Sequence, residues 1–146
     1  MRTLAADSKG RSIGLHLVAA YAPIGAAPPE VWDEFLSDLA DCMSKKQVGD
    51  VLVVGIDANS SIGVSQPSDE DDFDSFSPVG RFGVRHSNVA GERFYTFLAQ
   101  YRLAAISTFF EKQRYGTWVH PRSKKAHQLD HILTEHHQLM RFSDCG

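Results

Sequence analysis

Apolar residues fall into short runs and stripes that mark out a small set of elements. Residues 13–20, Ile-Gly-Leu-His-Leu-Val-Ala-Ala, alternate in part and lead into Tyr21-Ala22-Pro23. The pattern predicts a strand that delivers Tyr21 to its C-terminal end, where Pro23 halts the ladder. Pro28-Pro29-Glu30 suits the first turn of a helix, because the N–H that proline lacks has no partner there. Trp32, Phe35, Leu36, Leu39 and Met43 follow at helical spacing, with Asp33, Glu34, Asp38 and Asp41 off the stripe and Lys45-Lys46 near the negative end of the dipole. Val51-Leu52-Val53-Val54 predicts a strand buried on both faces, as in the middle of a sandwich, running into Gly55-Ile56-Asp57-Ala58-Asn59. From about Ser60 to Pro78 the chain turns polar, with an acidic loop at about residues 64–79. A second amphipathic helix is predicted from Ala90 to Tyr101, striped by Phe94, Phe97, Leu98 and Tyr101. Strands are expected at Ala104–Thr108, Gly116–Val119, Gln128–Leu133 and Arg141–Cys145, with the basic loop Arg122–Lys125 joining the second to the third. Strands and helices mix without strict alternation, which gives an α/β class but not a doubly wound sheet.

Composition agrees with a packed fold and removes several classes. A chain of 146 residues that is 42% hydrophobic and 10% aromatic is the size and make-up of one globular domain. No apolar run approaches the roughly 20 residues a membrane span needs, and the first residues lack the apolar core of a secretory signal. An intracellular location, the nucleus included, is therefore expected. Cys42 and Cys145 are the two cysteines, far apart, so neither a disulfide framework nor a cysteine zinc site is suggested. The net charge of −3 hides a split. Residues 1–80 carry five Lys/Arg against thirteen Asp/Glu, −8; residues 81–146 carry ten against five, +5, together with six of the seven histidines. Such a split suits either an acidic catalytic side facing a basic substrate side or two solvated surfaces that differ.

Candidate chemistry centres on Asp57-Ala58-Asn59 at the end of a strand. In extended geometry residues i and i+2 point the same way, so Asp57 and Asn59 are expected to project together. A carboxylate beside an amide there can position a water and hold a phosphate oxygen; the same pair also closes many polar turns. Histidines 127, 131, 136 and 137 do not match helical zinc motifs and read as strand and loop residues. The acidic run around Asp71 lacks the glycine and glutamate of a calcium loop. Lys112, Arg114, Tyr115, Trp118, His120, Arg122, Lys124 and Lys125 interleave bases with aromatics, as a surface for phosphates and exposed bases does. In that segment Trp118 is expected in the core, and Lys124 and Lys125 in solvent.

Taken in order, Tyr21-Ala22-Pro23, the buried strand with Asp57-x-Asn59-Ser60-x-x-Gly63, Gly83, Asn88 and Gly91, Thr117-Trp118, and Leu129-Asp130-His131-Ile132-Leu133 resemble the endonuclease/exonuclease/phosphatase superfamily. The likeness is greatest to the endonuclease domains of LINE-type retrotransposons, relatives of apurinic/apyrimidinic endonucleases and deoxyribonuclease I. It covers about residues 13–142. The resemblance implies a deoxyribonuclease I-like four-layer α/β/β/α sandwich, here partial and truncated at both ends, and Mg²⁺-dependent cleavage of DNA. By position, it implies that Tyr21 contacts the scissile phosphate, Asp57 aligns or deprotonates the attacking water, Asn59 holds the phosphate, and Asp130 orients a catalytic histidine. Lys124, Lys125, Arg122 and Asn88 would contact nucleic acid. Other implications are a monomer and a link to a reverse transcriptase polyprotein. Two departures stand out. Ile56 separates Gly55 from Asp57 where the family has Gly-Asp, and Ser143-Asp144 is followed by Cys145 where the family has histidine. The family's upstream metal-binding glutamate also has no counterpart. Weak or absent cleavage is expected, and two alternatives stay open: a catalytically dead fragment that binds nucleic acid or protein, or a phosphatase of the same superfamily.

Overall fold

The computed structural model describes residues 1–6, 10, 12–64 and 76–143. The acidic centre of the loop at 65–75 and residues 144–146, with Cys145, lie outside the described residues. A five-stranded mixed sheet organises the chain: β1 (Arg2–Ala6), β2 (Ser12–Tyr21), β3 (Val51–Asp57), β4 (Leu103–Ala105) and β7 (Asp130–Glu135), in spatial order β1-β2-β3-β7-β4. β2 and β3 are parallel, joined by helix α1 (Pro29–Ser44), and the other pairings are antiparallel. β5 (Trp118–Val119) and β6 (Ala126–His127) form a separate hairpin. Helix α2 (Val89–Gln100) precedes β4.

Alternation along the strands explains the layering. Leu52, Val54 and Ile56 of β3, Leu133 of β7 and Val18 and Ala20 of β2 face one side, and there they meet Trp32, Leu39 and Met43 of α1 and Phe94, Phe97 and Leu98 of α2. Both helices thus cover the same face. The opposite face is open over the upper part of the sheet: Val53 is half-buried, while Ala19, Gly55 and Ile132 are exposed. The expectation that Val51–Val54 is buried on both faces therefore holds only at its start, because no element among the described residues covers Val53 or Gly55 on that side.

Several other expectations change. Tyr101 ends α2 as its exposed C-cap and does not extend the buried stripe. The strand expected at Ala104–Thr108 stops at Ala105, and Ile106–Phe109 is a 3₁₀ turn. There Thr108 Oγ1 donates to the Ala105 carbonyl at 2.6 Å and accepts the Gly80 N–H at 2.7 Å. Gly80 lies so close that a Cβ on it would overlap the Thr108 carbonyl. Arg141 closes a second 3₁₀ segment, His136–Arg141, and is not in a strand. Inside that segment Gln138 accepts the Leu52 N–H at 3.1 Å and donates to the Asp50 carbonyl at 3.2 Å, a side chain completing the sheet's pairing. Trp118 is 42% exposed, not in the core, because its hairpin pairs only with itself and stands off the sheet. Among the described residues, no helix is long and apolar enough to cross a membrane.

Candidate functional site

The strand register brings three of the singled-out residues into one row. Tyr21 pairs with Asp57 across β2 and β3, and Asp57 pairs with Asp130 across β3 and β7. The row lies on the open face, at the C-terminal ends of the two parallel strands, where open α/β sheets place their ligands. The Ala58 N–H donates to the Leu129 carbonyl at 2.7 Å, which makes the neighbouring Asp57–Asp130 pair the non-hydrogen-bonded kind, with side chains at their closest. Two carboxylates directly opposite each other repel. Such a pair is stabilised by a cation, and Mg²⁺ takes as few as one or two carboxylates from a protein when water and phosphate supply the rest. Among the described residues, no three His, Cys, Asp or Glu side chains group closely enough to hold a metal ion. Asp57 and Asp130 are thus the donors a cation at this place would find.

Asn59 departs from the extended arrangement expected of it. Its φ of 44° turns the chain left-handed immediately after the strand, a conformation asparagine tolerates better than most residues. Its N–H is accepted by Asp57 Oδ1 at 3.0 Å, and its Nδ2 donates to the Ala22 carbonyl at 2.8 Å. Ala22 N–H in turn donates to the Asp57 carbonyl at 2.9 Å. Asn59 therefore ties the Tyr21-Ala22-Pro23 segment to the end of β3, and one N–H of its amide remains for another acceptor. Tyr21 itself is 71% exposed beside the row.

A cleft of about 620 Å³ opens over Asp57 and Asp130, floored by them with Gly55 and Ile132 and overhung by Lys112 and Arg114, while Tyr21 lies outside its lining. Tyr115 Oη accepts the Lys112 N–H at 2.7 Å and so closes the overhanging loop on itself. Thr117 supplies a connection that the sequence did not reveal: its Oγ1 accepts the N–H groups of both Leu129 and Asp130, at 3.0 and 3.1 Å. Those amides stand at the start of β7, where no neighbouring strand takes them up. Gln128 is buried; its Nε2 donates to Ser107 Oγ at 3.0 Å and its Oε1 accepts the Val84 N–H at 3.3 Å, which locks the cleft's far wall. Thr117 stands in the motif order, but its bonding, like that of Gln128, depends on which loop the fold brings alongside.

The resemblance implies that Asp130 orients a catalytic histidine, a partner that would lie close to its carboxylate. Asp130 is exposed, and its buried neighbour in the strand is His131, 3% exposed on the core face beside Ile56. Neither His131 ring nitrogen has a hydrogen-bond partner among the described residues. Burial pushes its pKa down to about 4, against the opposing attraction of Asp130 and a marginal contact with the Gln128 backbone.

Asn88 caps α2: its Oδ1 accepts the Gly91 N–H at 2.8 Å and the Ser61 N–H at 3.4 Å, which fastens the loop after β3 to the helix. Gly91 must lack a side chain, because a Cβ there would overlap the Ser61 carbonyl. Arg122, Lys124 and Lys125 are exposed on the β5–β6 turn. Asp57, Asp130 and the Thr117 pin thus meet at the cleft, with Tyr21 and Asn59 paired and bonded alongside Asp57, the basic turn at the far end of the hairpin, and Asn88 capping the helix.

Comparison with known proteins gives distant relatives. The chain is 27% identical over 134 residues to craniofacial development protein 2 of Bos taurus, covering 90% of this chain and 21% of that protein. It is 26% identical over 134 residues to the protein of the same name from Tragulus javanicus, covering 90% of this chain and 22% of that one. The chain therefore spans about a fifth of the length of the curated relatives it matches. No family model and no solved structure matches it.

Proposed function

We propose that the chain is part of a Mg²⁺-dependent phosphodiester hydrolase of the endonuclease/exonuclease/phosphatase type, acting on DNA as the retrotransposon endonucleases do. The observation that carries this reading is the single row of Tyr21, Asp57 and Asp130 on three adjacent strands, whose two carboxylates line a cleft edged by Lys112 and Arg114. The motif order along the sequence, which predicted a shared site for residues more than a hundred positions apart, supports it. In this reading Asp57 aligns the attacking water, Tyr21 meets the phosphate, and Asn59 holds the turn that carries Tyr21 while offering its free N–H. A divalent cation beside Asp57 and Asp130 would relieve the charge that builds on the phosphoryl oxygens. The open sheet face is where the second sheet of a deoxyribonuclease I-like sandwich would pack.

These residues alone should cleave feebly. One charge-stabilising donor is worth about 10²–10³ in rate, and the described residues lining the cleft include two carboxylates, no third acidic group and a single imidazole, that of His131. His131 lines the cleft's inner wall but is buried and turned to the core. A plasmid-nicking assay in Mg²⁺ tests both parts. Slow nicking lost in Asp57→Ala and Asp130→Ala supports the site; fast nicking would overturn the expectation of feebleness, and nicking unaffected by either change would overturn the site. The exposed basic turn favours a second reading, nucleic-acid binding without cleavage. Salt-dependent binding weakened by Lys124→Ala and Lys125→Ala, in a protein that does not nick, is its signature.

A further inference from the structure

Trp118 is a large aromatic side chain that the fold leaves partly exposed. The two tryptophans divide sharply: Trp32 is 2% exposed in the core, while Trp118 is 42% exposed and adjoins Val119, 54% exposed. Exposed aromatic surface of this kind marks binding sites more often than it serves stability.

The indole is nevertheless held in place. His120 lies edge-to-face against it with ring centres 5.4 Å apart, and His127, its partner across the hairpin, lies at 5.5 Å. His86 backs His127 at 6.4 Å. His120 is itself anchored, since its Nδ1 accepts the N–H groups of Arg122 and Ser123 at 3.2 and 3.1 Å and so organises the turn. That turn displays Arg122, Lys124 and Lys125 to solvent, and none of the three is ion-paired with a described residue. One residue before the indole, Thr117 pins the backbone of Asp130. Ring contacts thus tie the indole to the residue that organises the basic turn, and the hydrogen bond of the preceding Thr117 ties the hairpin to the Asp130 backbone.

We propose that Trp118 is a stacking platform for an unpaired nucleobase, so that this hairpin takes single-stranded nucleic acid with its phosphates on Arg122, Lys124 and Lys125. This rests on the nucleic-acid reading above and narrows it. Contacts to duplex phosphates need cations alone, whereas an indole face is satisfied by the face of a base, which a duplex keeps inside its stack. Stacking is tolerant of sequence, because every base has such a face. The flanking imidazoles hold the indole in one orientation, so less side-chain freedom is lost on binding.

The test measures binding of a labelled oligothymidylate and of a duplex of equal length at low salt, together with tryptophan emission. Trp118→Ala is expected to weaken oligothymidylate binding roughly ten-fold, Trp118→Phe less, with duplex binding changed by less than about two-fold. Stacking should quench the exposed indole while buried Trp32 keeps its emission. The double change Lys124→Ala/Lys125→Ala should weaken both ligands. If Trp118→Ala binds oligothymidylate as the parent does, with no quenching, while the double lysine variant loses binding, the platform is overturned and the nucleic-acid reading stands. If the parent protein binds neither ligand, both are overturned.

Discussion

Acid should destabilise the protein through His131 from about pH 6.5 downward, beginning before the carboxylates titrate. The imidazole is buried on the core face of β7 with both ring nitrogens unpaired, and its pKa lies at about 4 instead of 6.5. The folded state thus holds fewer protons than the unfolded chain between these values, and stability rises with pH wherever the unfolded state binds more protons. The contribution is unaffected above about pH 6.5, declines as the pH falls from there, and is fully lost near pH 4. At 1.36 kcal/mol per pKa unit, the loss is about 3 kcal/mol. That is a large fraction of the 5–15 kcal/mol typical of a domain.

Urea unfolding at several pH values between 7.5 and 4, for the parent and for His131→Phe, measures this directly. Phenylalanine fills a similar space, cannot be protonated, and removes two unpaired ring nitrogens, so the variant should be at least as stable at pH 7.5. As the pH falls to 4 the gap between the two proteins should widen by about 3 kcal/mol in favour of the variant. His136, whose pKa is also lowered by burial and then by Arg102 and His137, destabilises both proteins alike and cancels in the difference. Parallel stability curves for the two proteins across this range would refute the reasoning, since they would mean that His131 is hydrated or partnered in solution.

Other substitutions probe the supports of the site. Thr117→Val removes the acceptor shared by the Leu129 and Asp130 amides and should cost about 1 kcal/mol in urea unfolding, with Thr117→Ser recovering most of it. Asn88→Ala should cost about 1–2 kcal/mol as a lost helix cap while leaving oligonucleotide affinity unchanged; a specific loss of affinity in a protein of parental stability would assign Asn88 to nucleic acid instead. Arg2→Ala should lower the melting temperature at neutral pH, because it strands the Asp50 carboxylate, which Arg2 holds at 2.8 and 3.1 Å. Arg2 keeps the Asp50 pKa below the usual carboxylate value, so that loss should shrink as the pH falls through it.

What the sequence revealed, and what it hid, depends on how local each signal is. Both helices and the parallel strands were legible because their periods are set by residues close in the chain. The row at the cleft was legible for a related reason: Tyr21 and Asp57 end strands of similar length joined by one helix, so motif order stood in for geometry. Asn59 was misjudged in direction because a single left-handed φ after Asp57 decides where its amide goes, and composition does not report that angle. Trp118 was misplaced because an aromatic in a short alternating segment looks the same whether the hairpin joins the main sheet or stands apart. The burial of His131 and the exposure of Asp130 depended on strand phase, and a shift of one residue would exchange them.

The charge split also acquires a spatial meaning. Five of the thirteen acidic residues of the first half, Glu30, Asp33, Glu34, Asp38 and Asp41, are exposed on or near the outer surface of α1. That helix covers the core face of the sheet, whereas Asp57, Asp130 and the loop bearing Lys112 and Arg114 occupy the other. A sheet and its packed layer set the two surfaces roughly 10 Å or more apart, about one Debye length at 0.1 M salt. The acidic helix is therefore largely screened from anything bound at the cleft. Among the described residues, the carboxylates that line the cleft are those of the opposed pair Asp57 and Asp130. In the nucleic-acid reading, the described charges lining the cleft are that pair and the cations Lys112 and Arg114, so the net charge of −3 is no measure of the field a polyanion would meet there.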